Sequence, residues 1–133
     1  MTTRDILTAY FDAFNADDSA GMHALLSEDV AHHVNQGGIR KGLDQFKAFS
    51  AHMDRCYKER LTDLVLMVSE DGTRGAAEFI VNGEYLATDE GLPEANGQTY
   101  RLPAGSFFEI ENEKITRVTT YYNLQDWIAQ VGG

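Results

Sequence analysis

The chain has 133 residues, 43% of them hydrophobic, and 11 Lys and Arg against 21 Asp and Glu give a formal net charge of −10 at pH 7. This length predicts one domain over residues 1–133. The negative charge argues against nucleic acid and anionic membranes as partners, because like charges repel. The only cysteine, Cys56, excludes an internal disulfide. No leader and no long apolar run is evident, so we expect a soluble cytoplasmic protein.

The first predicted element is an amphipathic helix. Thr2 followed by Asp5 resembles a capping box at its start. Apolar residues recur at three- and four-residue steps, which places them on one helical face. These residues are Ile6, Leu7, Tyr10, Phe11 and Phe14.

A polar break over 15–19 separates this helix from a second one. Met22, Leu25 and Leu26 restart the helical pattern directly after the break. The residues over 30–35 mix apolar and polar types too briefly for another helix, so they predict a strand.

A flexible connection over 36–42 leads to a third helix, whose apolar face is formed by Leu43, Phe46, Phe49, Met53 and Tyr57. The following residues predict a hairpin of strands 61–69 and 75–87, turned at 70–73. The dipeptide Asn82-Gly83 also favours a turn, but the alternation around it predicts one continuous strand with a bend or bulge.

The C-terminal part predicts a long exposed loop over 88–97, a second hairpin of strands 98–110 and 114–123, and a short closing helix. The apolar residues of that helix are Leu124, Trp127, Ile128 and Val131.

Two stretches carry a resemblance to a known family. Tyr10 with the polar break over 15–18, and the C-terminal sequence over 121–127, resemble the ketosteroid isomerase and SnoaL-like polyketide cyclase group, which shares its cone-shaped fold with nuclear transport factor two. The resemblance implies an α+β fold: a cone-shaped roll of a curved, mostly antiparallel sheet packed against three helices and enclosing a pocket.

The resemblance also implies catalytic positions. Tyr10 matches the tyrosine that donates a hydrogen bond to the enolate oxygen in ketosteroid isomerases, although a core tyrosine is an equal alternative. Ser106 stands where those enzymes have a protonated acid, and Val34 stands where they have the carboxylate base. Both departures argue against true steroid isomerisation.

Two residues are candidates for a substitute base. His33 resembles a histidine of many SnoaL-like proteins, with a hydrogen-bonded residue of the pocket wall as the alternative role. Only one of His32 and His33 can face the pocket, because strand neighbours point to opposite sides. Asp63 would share a face with Leu61 and Val65. If Asp63 points inward, burial would raise its pKa and make it the preferred base; an exposed position is the alternative.

We expect the substrate-binding residues to come from several strands and from the last turn: Asn35, Phe79, Val81, Val118, Thr120, Tyr122 and Asn123. The histidines show no spacing typical of zinc or iron sites, so we expect no metal and no cofactor.

Two functions follow as hypotheses. One is cofactor-free proton transfer beside a carbonyl of a small apolar molecule, steroid-like or polyketide-like, as in an isomerase or cyclase. The other is a non-catalytic module that binds such a molecule; a hydrolase ranks last. In either case we expect a homodimer, because an open sheet leaves an apolar convex face for a twofold partner.

Overall fold

The computed structural model describes residues 1–34 and 37–132, which form four helices and one six-stranded sheet. The helices are α1 (Thr3–Asn15), α2 (Ser19–His23), α3 (Leu43–Cys56) and α4 (Leu124–Gly132). The strands are β1 (Leu26–Val34), β2 (Ile39–Lys41), β3 (Tyr57–Val68), β4 (Arg74–Tyr85), β5 (Thr99–Glu111) and β6 (Lys114–Tyr122).

The strand order in the sheet is β2-β1-β6-β5-β4-β3. All neighbours are antiparallel except β1 and β6, which are parallel. The curved sheet covered by helices confirms the predicted α+β cone fold. No helix within 1–34 and 37–132 is both long and apolar enough to cross a membrane.

Several predicted boundaries are confirmed. The capping box at Thr2 and Asp5 is present, with both reciprocal hydrogen bonds at 3.1 Å. Strand β4 runs unbroken through Asn82 and Gly83, as the alternation predicted. Both hairpins form, and residues 86–98 contain no helix or strand.

Three predictions about element limits are wrong. Helix α2 ends at His23, and Leu26 already belongs to β1. The connection after β1 contains a short strand, β2, which pairs with β1. Tyr57 begins β3 instead of ending the third helix. At Leu26 and Tyr57 sheet pairing overrides a helical pattern, because a ladder satisfies backbone groups that a short helix leaves open, and in the connection the pairing with β1 orders a segment for which no element was predicted.

One face of the sheet packs on the helices and forms the core. Alternation in β4 and β5 places odd residues of β4 and even residues of β5 on this inner face. The large side chains buried there include Phe79, Tyr85, Tyr100, Leu102 and Phe108. Helix α1 adds Ile6, Leu7, Tyr10 and Phe11 to the same cluster.

Strand β3 is an edge strand, and α1 covers part of that edge. The Asn15 side chain donates to the Leu61 carbonyl at 3.0 Å and accepts from the Leu61 N–H at 2.8 Å. The side-chain amide of Asn15 thus makes the two backbone hydrogen bonds with Leu61 that a neighbouring strand would otherwise make. Directly beyond it, the register with β4 shifts between Thr62 and Val65, and Asp63 has a left-handed φ of 54°. This bulge bends the edge of the sheet.

Candidate functional site

Tyr10 and Ser106 both lie in the interior, as predicted. Tyr10 is 7% exposed, and its ring packs edge-on against Phe11 and Phe108. Its hydroxyl has no hydrogen bond to the described part of the chain, and burial raises its pKa, so it remains a protonated donor. Ser106 shares a 3.0 Å hydrogen bond with Thr120 across β5 and β6.

The structure places His32, not His33, on the inner face. His32 pairs with Val118, a core residue of β6, whereas His33 pairs with Thr119 on the opposite face. The His32 ring lies 4.7 Å from the rings of both Phe46 and Phe49. The prediction chose the wrong member of the pair, because the sequence does not set the phase of the alternation.

Asp63 does not point inward. The bulge places Val65 on the outer face, opposite Glu78. Leu61, Asp63 and Val65 therefore do not share one strand face, contrary to the sequence prediction. The Asp63 side chain is 73% exposed and lies 3.8 Å from the Arg101 guanidinium. The condition that made Asp63 the preferred base is therefore not met.

A partly buried carboxyl group that the sequence did not single out lies on β3 instead. Glu59 pairs with Gly83 of β4, and Gly83 pairs with Tyr100 of β5, so all three face inward. Tyr100 donates its hydroxyl to Glu59 Oε2 at 2.5 Å. A Cβ on Gly83 would lie 2.2 Å from Tyr100 Cζ, so only glycine lets the ring cross β4 to reach the carboxylate.

Burial raises the pKa of the Glu59 carboxyl, and the hydrogen bond from Tyr100 opposes this shift in part. The pKa of Tyr122 is also raised, first by burial and then by the charges of Glu59 and Asp89. The predicted binding residue Tyr122 therefore shares an electrostatic environment with two carboxylates that sequence reasoning missed.

Asp89 reaches this region from the loop after β4. Its Oδ2 accepts from the Tyr57 hydroxyl at 2.7 Å, and its Oδ1 lies 2.9 Å from His52 Nε2. Burial and the Asp89 contact raise the pKa of Tyr57. The loop is held by Tyr85, whose hydroxyl donates to the Pro93 carbonyl at 2.6 Å and accepts from the Asp89 N–H at 2.9 Å.

Aromatic rings surround these polar groups. Trp127 of α4 is 4% exposed and its ring packs against three tyrosines at centroid distances of 4.9 to 6.0 Å. These tyrosines are Tyr57, Tyr85 and Tyr100. We call Glu59, Tyr100, Tyr122, Tyr57 and Asp89 the Glu59 cluster.

One set of metal-ligating side chains occurs among the described residues. Donor atoms of His52, Cys56 and Asp89 lie within 4.8 Å of one another. The imidazole and both Asp89 oxygens already have protein partners, because Arg55 contacts His52 Nδ1 at 3.0 Å and Tyr57 contacts Asp89. Hydrogen bonding thus accounts for the arrangement.

The other predicted binding residues divide into two groups. Phe79, Val81 and Val118 are core residues of the inner face. Asn123 is exposed, and its Oδ1 accepts from the Asp126 N–H at 3.1 Å, so it caps α4. Asn35 lies outside the described residues.

Two open grooves lie outside this interior. One, of about 650 Å³, lies beside α2 and the turn between β5 and β6; the other, of about 520 Å³, lies on the outer face of β3 to β5. Neither is lined by Tyr10, Ser106 or Glu59. The enclosed pocket therefore stays a prediction.

A signal for Glu59 was present in the sequence. Glu59 lies midway between the apolar residues Tyr57 and Leu61. Because alternate strand residues share a face, a strand that begins at Tyr57 places this acid on the inward face. It was missed because the strand was predicted to begin at 61, after a helix extended through Tyr57.

Comparison with known proteins identifies the family. Residues 7–118 match the model of the SnoaL-like domain, so the chain belongs to the SnoaL-like family. No curated protein matches it significantly. The chain is 64% identical to a protein from Silicibacter sp. TM1040 described as a "putative polyketide cyclase", with a TM-score of 0.97 and coverage of 99% of this chain and 96% of that one.

A second "putative polyketide cyclase", from Pseudomonas putida KT2440, is 59% identical, with a TM-score of 0.97 and 98% of each chain covered. An NTF2-like protein of unknown function from Burkholderia pseudomallei K96243 is 19% identical, with a TM-score of 0.82 and 98% of each chain covered, and shows the fold alone.

Proposed function

We propose that the protein transfers a proton beside the carbonyl group of a small apolar molecule, without a cofactor, and that Glu59 carries the proton. The observation that supports this is a carboxyl group on the inner face whose pKa is raised by burial and whose position is held by Tyr100. A carboxyl group with a pKa closer to neutrality can both accept and return a proton efficiently.

In the proposed step the Glu59 carboxylate removes a proton from the carbon next to the carbonyl. The electron pair of that C–H bond forms a carbon–carbon double bond, and the carbonyl oxygen takes the negative charge. Protonated Glu59 then returns the proton to another carbon of the conjugated system. The hydroxyl of Tyr122, which burial and the charge of Glu59 keep protonated, donates the hydrogen bond to that oxygen.

Glu59 replaces both bases expected from the sequence. His33 lies on the opposite face of β1, and Asp63 lies in solvent beside Arg101. Neither side chain shares the environment of Tyr122, whereas the charge of Glu59 acts on it.

The experiment follows proton exchange and isomerisation on a panel of small β,γ-unsaturated ketones, by NMR in deuterium oxide and by ultraviolet absorbance. We expect Glu59→Gln to lower the rate by about 10²- to 10⁴-fold, the usual contribution of one acid-base group. Glu84→Gln, an exposed residue of β4, is the matched control and should keep the wild-type rate. A wild-type rate equal to buffer, or an unchanged Glu59→Gln rate, would refute the proposal.

The alternative is a non-catalytic module for a small apolar ligand. It is favoured by Val34, which stands in place of the isomerase carboxylate. Native mass spectrometry of the purified protein distinguishes the two, because a binding module retains a ligand without exchanging its protons.

A further inference from the structure

Two buried nitrogen atoms that have no hydrogen-bond partner among residues 1–34 and 37–132 occur on paired residues at one edge of the sheet. They are His32 Nδ1 on β1 and Arg40 Nη1 on β2. His32 and Arg40 are direct partners in the antiparallel register, so their side chains leave the sheet on the same face. Because His32 is on the inner face, Arg40 is too.

Aromatic rings of α3 hold both groups in place. The Arg40 guanidinium lies 4.6 Å from the centre of the Phe49 ring, and the His32 ring lies 4.7 Å from both Phe46 and Phe49. His32 is 4% exposed. A polar nitrogen buried against rings costs free energy unless it is hydrogen-bonded, so these two atoms are available to a partner that the described residues do not supply.

Charge indicates what kind of partner fits. The chain has 21 acidic side chains, yet Arg40 forms no ion pair with any carboxylate in the described segments. Burial and the Arg40 charge lower the pKa of His32 to about 4, so the imidazole is neutral at pH 7 and can donate from Nδ1. One fixed positive charge beside one neutral donor suits an anionic oxygen group.

We propose that His32 and Arg40 form a subsite for the carboxylate of an apolar acid. Two N–H donors match the two oxygens of the carboxylate. The subsite lies beside Val118, on the inner face that also carries Ser106 and Thr120.

The test compares 2-naphthoate with 2-naphthamide, a neutral molecule of nearly the same shape, by isothermal titration calorimetry. We expect the wild type to bind naphthoate about tenfold or more tightly than the amide, as a charge-assisted hydrogen bond implies. Arg40→Met should remove this preference, and Arg40→Lys should keep part of it, since it retains the charge without the planar fork. His32→Phe should weaken naphthoate binding and leave amide binding less affected.

Arg101→Met is the matched control, because it removes the same charge from an exposed arginine on the outer face. It should keep the preference for naphthoate. Equal wild-type affinity for the two probes, binding of neither probe, or a preference that survives Arg40→Met would overturn the subsite.

Failure here is distinguishable from failure of the proposed function. A protein that exchanges protons of neutral ketones through Glu59 but shows no preference for naphthoate lacks only the subsite. A protein that prefers naphthoate but exchanges no protons has the subsite without the proposed chemistry.

Discussion

Tyr100 reaches across β4 to donate its hydroxyl to Glu59 Oε2 at 2.5 Å, passing over Gly83. The two residues are separated by 41 positions in the chain and by one intervening strand. Tyr100 does not itself carry the proton in the proposed chemistry; it positions Glu59 and lowers the pKa that burial raises. Its role can be separated from a purely structural one.

Tyr100→Phe removes the donor and keeps the ring. We expect the pKa of Glu59 to rise further, because its carboxylate loses the hydrogen bond that favours the charged form. The limb of the pH–rate profile that reports deprotonation of Glu59 should move to higher pH, and NMR titration of the labelled carboxyl carbon checks the same shift. Tyr121→Phe, on the exposed outer face, is the control. An unmoved limb would show that the hydroxyl does not tune Glu59.

Gly83→Ala should destabilise the protein by about 1–3 kcal/mol, the usual cost of overpacking. The added Cβ would lie 2.2 Å from Tyr100 Cζ, and the ring is confined by Trp127. Urea denaturation measures the change in the free energy of unfolding. Gly38→Ala, where the added Cβ meets nothing within 4 Å, should change it by no more than about 0.5 kcal/mol. Equal effects of the two substitutions would contradict the close approach.

The lowered pKa of His32 predicts that the folded protein loses stability in acid. This pKa is about 4 in the fold and about 6.5 unfolded, so below pH 6.5 the unfolded chain binds the proton first. The contribution of the neutral imidazole is complete above pH 6.5 and is lost as the pH falls towards 4, up to about 3 kcal/mol. His32→Gln should therefore lose less stability than the wild type between pH 6.5 and 4 in urea denaturation. Parallel curves for the two proteins would exclude this role of His32.

The homodimer stays a prediction, and the outer face of the sheet is where we expect it. Val65, Met67, Phe107 and Tyr121 are 43–52% exposed on β3, β5 and β6, and the last two rings pack together at 5.6 Å. Apolar groups in such a patch favour association with a second copy of the chain. We expect sedimentation to show a dimer that Phe107→Lys dissociates and that Leu86→Lys, in the loop after β4, does not. A monomeric wild type at micromolar concentration would refute the interface.

Much of the fold could be predicted because it depends on local patterns. The capping box at Thr2, the alternation through Asn82 and Gly83, and the turn after Glu70 each involve neighbours in the chain. Hydrophobic periodicity then specified which elements are helices and which are strands. The inward positions of Tyr10 and Ser106 followed from the family resemblance and agree with the burial of both residues.

The candidate site was harder to predict, because it depends on register between distant strands. A strand pattern is compatible with either face until its pairing is known. For this reason the sequence favours His33 as the inward residue, whereas the pairing with β6 places His32 there. A bulge at Asp63 turned that carboxylate outward.

The sequence by itself determined the positions of most helices and strands and a largely apolar inner face through residue type and spacing along the chain, and its resemblance to the SnoaL-like group indicated the family and the cone fold. Only the tertiary structure decided which polar groups meet there. Glu59 and Tyr100 come together because β3, β4 and β5 pair in one register, and His32 and Arg40 come together because an unpredicted strand, β2, pairs with β1. Contacts between strands depend on how all strands of the sheet pair with one another, and no local sequence pattern encodes that pairing.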